Sequence, residues 1–242
     1  MRWSLLVLLG ILSGSALHAE NNADSNAAAP TPFTVTFLAE YRGIEGGTLT
    51  FTFAHDAATN QYTYETRVNP SLLASFIVSP KAIERSVMTI DAQGVHPQTW
   101  KVDDGKSGNK EDGDLQFDWA AQRVRGTIKG KPVDLPAEPG LQDRISVQIS
   151  VMTALLRGTD PGTIPMVDDD HVKYYQYQKT RTETLDTKIG RIETVVYEGT
   201  RVNSNRVSRF WLAPSLGYAP IRAEQQRKGK VETVMTLVEL KR

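Results

Sequence analysis

Polar and apolar positions alternate with a period of two through most of this chain, a pattern that predicts strands with one buried face. In Thr34–Tyr41, Val35, Phe37, Ala39 and Tyr41 share one side. In Thr48–Phe53, Leu49, Phe51 and Phe53 face one way and the threonines the other, and Gln61–Val68 alternates Tyr62, Tyr64, Thr66 and Val68. Arg42–Gly47 and His55–Asn60 between them are rich in turn formers, so the series reads as a meander. The pattern continues at Glu84–Ile90, Pro97–Val102, Leu115–Trp119 and Arg123–Ile128. It returns at Val172–Gln178, Ile192–Gly199, Val207–Ala213, Pro220–Arg227 and Val231–Leu240.

Two segments break the alternation. In Leu141–Gly158, Leu141, Ile145, Ile149, Met152, Leu155 and Leu156 recur at helical spacing, and Gly158 stands as a C-terminal stop. Val147 and Val151 widen the apolar surface, so this helix should be buried over much of its circumference. Asn69–Pro80 predicts a short second helix, capped by Asn69 with Pro70 at its first position. Its Leu72, Leu73, Phe76, Ile77 and Val78 read first as a second lid over the core, with an exposed ligand-facing flap as the alternative. The expected fold is mainly β: a single curved antiparallel sheet or open β-barrel of about ten to twelve strands enclosing one buried α-helix.

The stretch Phe210–Gln225, FWLAPSLGYAPIRAEQ, places Trp211 and Arg222 around a Pro-Ser-Leu-Gly run and raises the question of a reactive loop. A shift that carries Met88 onto Trp211 also carries Gly94 onto Gly217 and Pro97 onto Pro220. Each copy is a strand end, a breaker, a glycine able to take positive φ, and a proline opening the return strand. Chemistry would not need that frame twice with His96 replaced by Ala219, so both are hairpin turns. The repeat also suggests two similar halves joined through the Leu141–Gly158 helix.

Composition narrows the setting. Residues 1–19 carry Arg2, the apolar run Leu5–Leu12 and small residues up to Ala19, the form of a cleaved export signal too short to span a bilayer. Cleavage after Ala16 fits better than after Ala19. Residues 20–31 are small and polar and read as a flexible tether, which leaves 32–242 as one antiparallel β domain. With no cysteine there is neither a disulfide framework nor a thiol to acylate, so a soluble, non-lipidated periplasmic domain held by burial alone is expected. The 28 cations balance 28 anions, and removing Arg2 leaves a net charge of −1. That balance excludes nucleic acid as a partner and lends no support to electrostatic adhesion on an anionic membrane.

Phe117–Gly126 (FDWAAQRVRG), Gln142–Gln148 (QDRISVQ), Glu183–Val195 (ETLDTKIGRIETV) and Phe210–Arg222, in this order and spacing, resemble an uncharacterised family of exported Gram-negative proteins classed as a domain of unknown function. The resemblance covers nearly the whole chain after residue 31. It implies a periplasmic protein with one antiparallel domain and brings no catalytic residues. A fainter resemblance to the periplasmic carriers of lipoproteins concerns architecture, which does not transfer function.

Chemistry-bearing patterns are weak. His55, His96 and His171 lie in turns or at a strand start with no helical partner. Asp168, Asp169 and Asp170 lack the glycine spacing of a calcium loop, and a solvated loop is the simpler reading. Gly105-Lys106-Ser107 lacks the first glycine of a phosphate loop, and no nucleophilic serine motif occurs after the leader. Glu40 with Glu45 and Glu65 with Glu84 read as strand-face charges. Trp100, Trp119 and Trp211 read as packing residues. The expectation is therefore a non-catalytic binding protein, with no cofactor and no metal, that shields a lipid or acyl chain in the concavity of its sheet. At ~0.8 kcal/mol per methylene, burial alone could hold such a chain. Candidate ligand contacts are Leu72, Leu73, Phe76 and Ile77 on the flap and Met152 and Leu155 on the helix. The alternatives are an envelope scaffold that docks a protein partner by strand addition, and, less favoured, a carboxylate hydrolase.

Overall fold

The computed structural model describes residues 28–108, 111–201 and 203–242. The proposed export signal and most of the tether lie outside the described residues. The alternating segments form strands β1 (Phe33–Tyr41), β2 (Ile44–Asp56), β3 (Gln61–Pro70), β4 (Ile83–Asp91) and β5 (Gly94–Asp103). Then come β6 (Gly113–Asp118), β7 (Arg123–Ile128) and β8 (Lys131–Pro136), the helix α1 (Ser146–Leu156), and β9 (Thr163–Asp168) and β10 (His171–Thr187). The chain ends with β11 (Gly190–Thr200), β12 (Arg206–Ala213), β13 (Ala219–Arg227) and β14 (Lys230–Lys241). All fourteen strands belong to one antiparallel sheet in the order β8-β7-β6-β5-β4-β3-β2-β1-β14-β13-β12-β11-β10-β9.

The strand count exceeds the expected ten to twelve, and the two additions share a cause. β8 contains Pro132 and Pro136 and β9 contains Pro165. Proline cannot donate to a ladder and is tolerated in edge strands. β8 and β9 are the two edges of the sheet. The sheet rolls until those edges approach one another. Val133 of β8 and Val167 of β9 pack in the same cluster as Leu141, and Lys129 of the β7–β8 turn pairs with Asp169 of the β9–β10 turn at 3.4 Å. Gln142 closes part of the gap through its backbone, which donates to Pro165 O and accepts from Val167 N, each at 2.9 Å.

The rolled sheet holds α1 on its inner side. Seven of its eleven residues are buried, spread around the helix. Ile149 and Met152 meet Phe33, Val35, Phe37, Phe53, Tyr64 and Met88 from β1 to β4. Val147, Val151 and Leu155 meet Ile164, Met166, Tyr177, Tyr197 and Leu212 from β9 to β12. The helix is shorter than its apolar spacing predicts because Leu141–Ile145 is spent on the crossover.

Asn69–Pro80 is corrected more strongly. Asn69 and Pro70 extend β3 opposite Thr48 and Gly47, and only a 3₁₀ turn, Ala74–Phe76, follows. Ser71 closes it, since its hydroxyl donates to Glu45 O and accepts from Ala74 N. This segment is not a lid. Leu72, Leu73, Phe76 and Ile77 are 69–81% exposed. The stretch from Phe210 is a hairpin, β12–β13, turned by Pro214–Leu216 with Gly217 at φ +57°. Gly94 takes φ +133° in the β4–β5 turn. No helix among the described residues is long and apolar enough to cross a membrane.

Candidate functional site: an apolar cleft beneath the helix

Three consecutive residues before α1 fix it against the sheet. The Gln142 side chain donates to Val95 O at 2.8 Å and to Gly140 O at 3.1 Å. The Asp143 carboxylate accepts from the backbone N–H of Ile145 and Ser146 at 2.9 and 2.8 Å and from the Ser86 hydroxyl at 2.6 Å. Ser146 Oγ accepts in return from Asp143 N, which completes a reciprocal cap of the first turn. Burial pushes the Asp143 carboxyl up to about 6 against the pull of these hydrogen bonds. The Arg144 guanidinium stacks 4.6 Å from the centre of the Trp100 ring. It also lies 3.4 Å from Glu84, whose carboxylate accepts the Trp100 indole N–H at 2.8 Å. The QDR run is thus an anchor: Asp143 is spent on the cap, while Arg144 lies over Trp100 with its Nε buried and without a hydrogen-bond partner among the described residues.

With the helix so placed, it does not seal the inner face. A cleft of about 150 Å³ lies between Val147 and Val151 of α1 and Phe51, Tyr177, Phe210, Leu212 and Met235 of the sheet. Arg144 is its one charged lining residue, and Ile145 and Gln148 complete it. Burial raises the Tyr177 phenol, which stays neutral at physiological pH. Tyr64 Oη and Gln148 Nε2 are buried without a hydrogen-bond partner among the described residues.

The cleft continues along the inner face. Phe210 and Met235 also border a hollow of about 200 Å³ with Ser208, Gln225 and Thr233. Ser208 and Gln225 border a further hollow of about 360 Å³ lined by Lys173, Tyr175, Arg201, Arg206 and Arg227. Asp168 lines it too, but that carboxylate is held by Lys173 at 2.6 Å and lowered below its usual range, with burial opposed by the lysine. Arg227 finally borders a hollow of about 640 Å³ at the β13–β14 turn, with Arg42, Lys228 and Lys230. The lining therefore changes from apolar beneath α1, through hydroxyl and amide with the ion-paired Glu224, to an excess of cations at the end of the strands, where Asp168, Asp169 and Glu232 are also paired.

The six residues named from sequence are not brought together. Leu72, Leu73, Phe76 and Ile77 sit on the β3–β4 loop. Met152 and Leu155 are 1% and 8% exposed and belong to separate packing clusters. They occupy the second half of α1, after which Arg157 donates to Asp91 O in the β4–β5 turn, at the opposite end of the sheet. Arg157 also donates to Ala28 O, tying the chain ahead of β1 to the helix. Leu155 packs with the Val147 and Val151 side of the cleft, whereas Met152 serves the core. The cleft's sheet residues escaped sequence reading because each is one inward position among many in its strand. Which of them meets the helix depends on the roll of the sheet.

The remaining chemical candidates are spent locally. Asp168, Asp169 and Asp170 point to separate partners, Lys173, Lys129 and His171. Asp103, Asp104 and Asp112 do converge, with ligand atoms within 4.8 Å of one another. Each accepts a backbone N–H of its own loop, from Gly105, Lys106 and Asp104 respectively, so together they close the β5–β6 connection. Glu40 and Glu45 are register partners across β1–β2, while Glu65 pairs with Arg67 and Arg85. Trp100 and Trp211 are buried and Trp119 partly so, and each indole N–H has an acceptor: Glu84, Glu183 and Pro97 O. Arg181, Arg209 and Arg222 surround the Trp211 ring at 5.3–5.9 Å.

No curated protein matches the chain in sequence. Among solved structures, a chain of the Pseudomonas aeruginosa MucA/MucB complex is similar over 92% of this chain and 55% of its own, at 12% identity and TM-score 0.40. The hypothetical lipoprotein YmcC of Escherichia coli is similar over 95% of this chain and 98% of its own, at 10% identity and TM-score 0.34. The chain thus spans about half the length of the first and nearly all of the second. The four sequence segments implied a family of uncharacterised function, and residues 33–236 match the model described as "Protein of unknown function (DUF3108)": the chain belongs to the DUF3108 family.

Proposed function

We propose that the protein is a non-catalytic binding protein of the cell envelope that shelters the apolar part of an anionic amphiphile beneath α1. The observation that carries this reading is the graded lining of the inner face, from Val147, Val151 and Phe210 to Arg201, Arg206 and Arg227. The apolar leader run Leu5–Leu12 supports export. A cleft of about 150 Å³ compares with an engineered cavity that takes up benzene, and is smaller than the ~300 Å³ at which small-molecule sites usually begin. A longer tail would therefore run on past Phe210 and Met235 toward the cations. Among the described residues no carboxylate lines the cleft beneath α1, and those bordering its continuation, Glu224, Asp168 and Asp169, are ion-paired, which weighs against the hydrolase alternative.

Strand addition at a free edge fits less well. β8 presents Lys131, Pro132, Asp134 and Pro136, all poor templates for pairing, and Gln142 already occupies part of the β9 edge.

The full chain is expected to enhance a fluorescent long-chain fatty-acid probe. Val151→Trp, which fills the cleft, should weaken that binding at least ten-fold with little change in melting temperature. Arg206→Ala with Arg227→Ala should weaken a carboxylate-headed probe more than the matching alcohol. Equal affinity in the Val151→Trp variant, or failure of the unaltered protein to bind any such probe, would remove the reading.

A further inference from the structure

Ten large apolar side chains are exposed among the described residues, and eight of them gather at one end of the sheet. Five belong to the β3–β4 loop: Leu72, Leu73, Phe76, Ile77 and Val78. Tyr41 and Ile44 flank the Arg42–Gly43 turn of β1–β2, and Val231 follows the Lys228–Gly229 turn of β13–β14. The strands carrying these turns are consecutive in the sheet, β4-β3-β2-β1-β14-β13. Backbone hydrogen bonds link the turns, from Ser71 N to Gly46 O at 3.0 Å and from Arg42 N to Glu232 O at 2.7 Å. Exposed apolar residues scattered singly need no explanation, but a contiguous group does.

Charge is distributed around this group unevenly. Arg206, Arg227, Lys228 and Lys230 are exposed on its β11–β14 side and make no ion pair among the described residues. On the other side Lys106 Nζ donates to Ile77 O, and Lys81 follows the loop. Glu232 is paired with Arg42, whereas Asp103, Asp104 and Asp112 keep their charge while accepting backbone amides. Glu45 is exposed without an ion pair among the described residues, so the cation surplus is confined to the β13–β14 side. The neutral total conceals a local surplus of cations beside apolar turn tips.

We infer that this end of the sheet docks on an anionic phospholipid bilayer, with Leu72, Leu73, Phe76 and Ile77 entering the headgroup layer and Arg227, Lys228 and Lys230 meeting lipid phosphates. Apolar tips beside cations are the two elements of reversible binding at a lipid interface. The loop also satisfies its own backbone, through Ser75 N to Ser71 O and Ile77 N and Val78 N to Ala74 O. Entering an apolar layer therefore strands few amides. A groove-binding protein partner is less well matched, since Leu72, Leu73, Phe76 and Ile77 line none of the four hollows described above.

The surface shares Arg227 with the cationic end of the inner-face hollows, but its apolar tips lie outside the cleft beneath α1, and the test separates the two through those tips. In co-sedimentation at low salt, the full chain should bind vesicles of phosphatidylcholine with phosphatidylglycerol and bind pure phosphatidylcholine much more weakly. Leu72→Asp with Phe76→Asp, at sites that contribute nothing to the core, should lower partitioning at least ten-fold with an unchanged melting temperature. Lys228→Glu with Lys230→Glu should lower it about ten-fold or more at low salt, at several-fold per cation, and little at 0.5 M salt. Val151→Trp should bind vesicles as the unaltered protein does, whatever it does to a fatty-acid probe. A Phe76→Trp variant should blue-shift its emission on adding the anionic vesicles. Absence of vesicle binding, equal binding to both compositions, or binding indifferent to Leu72→Asp with Phe76→Asp would each overturn the assignment. Loss of a protein complex without any vesicle binding would hand the surface to a protein instead.

Discussion

Replacing Asp143 by alanine should cost roughly 3–5 kcal/mol of stability at pH 4, because it strands the buried N–H groups of Ile145 and Ser146 and the Ser86 hydroxyl at roughly 1–3 kcal/mol each before relaxation. The Asp143→Asn variant isolates the charge, since its amide oxygen can still accept both N–H groups. The folded carboxyl titrates at about 6 and its ordinary value is 3.8. Below pH 4 both states hold the proton. Between about 4 and 6 the unfolded chain releases its proton while the folded chain keeps it, so stability falls as pH rises. Above 6 the penalty is constant, near 3 kcal/mol for a shift of about two units. Carboxylates held below their usual values, such as Asp168, tilt the profile the other way, but they are common to both proteins. Denaturant titrations at pH 4 and 7.5 should therefore show the unaltered protein gaining about 3 kcal/mol on the asparagine variant at the acid end. A constant difference would mean that Asp143 is not desolvated as described.

Gly126→Ala should be as damaging, for steric reasons alone. Gly126 lies within β7 at φ +153°, opposite Leu115 and Val133. A Cβ built there would stand 1.9 Å from the Asp114 carbonyl oxygen and 2.9 Å from its carbon. Neither neighbour is the tip of a movable side chain, so the β6–β7 ladder must part, at roughly 3–5 kcal/mol. Gly130, in the next turn, supplies the control. It has φ +72°, and a Cβ added to it would meet nothing within 4 Å, so Gly130→Ala should cost only about 1 kcal/mol. Melting temperatures of the two variants should differ accordingly, and equal losses would refute the close backbone approach.

How much of this was readable from residue order depends on whether a feature is local. Alternation in Thr34–Tyr41 or Thr48–Phe53 needs only neighbouring residues, so those strands were visible. Lys131–Pro136 and Thr163–Asp168 were missed because their prolines argue against a strand unless it is known to be an edge. The helix was visible, but its start was not, since Asp143 declares itself as the cap only through Ser146 and Ser86. The site divided along the same line. Leu72, Leu73, Phe76 and Ile77 stood out by apolar density, which does not distinguish a side chain facing inward from one facing solvent. Phe51, Tyr177, Phe210 and Met235 come from four separate strands and share a cleft only after the sheet has rolled around α1.

Among the described residues every strand pairing but one joins neighbours along the chain, and the exception, β1 with β14, sets Thr34 against Lys241. Local hairpins zip early, whereas a contact of such long separation carries a large closure cost. During synthesis β1 therefore waits with a bare flank of amides and carbonyls until the last strand emerges. Through that interval a second nascent copy could pair with it, so this seam is where slow refolding and cross-chain mispairing should concentrate.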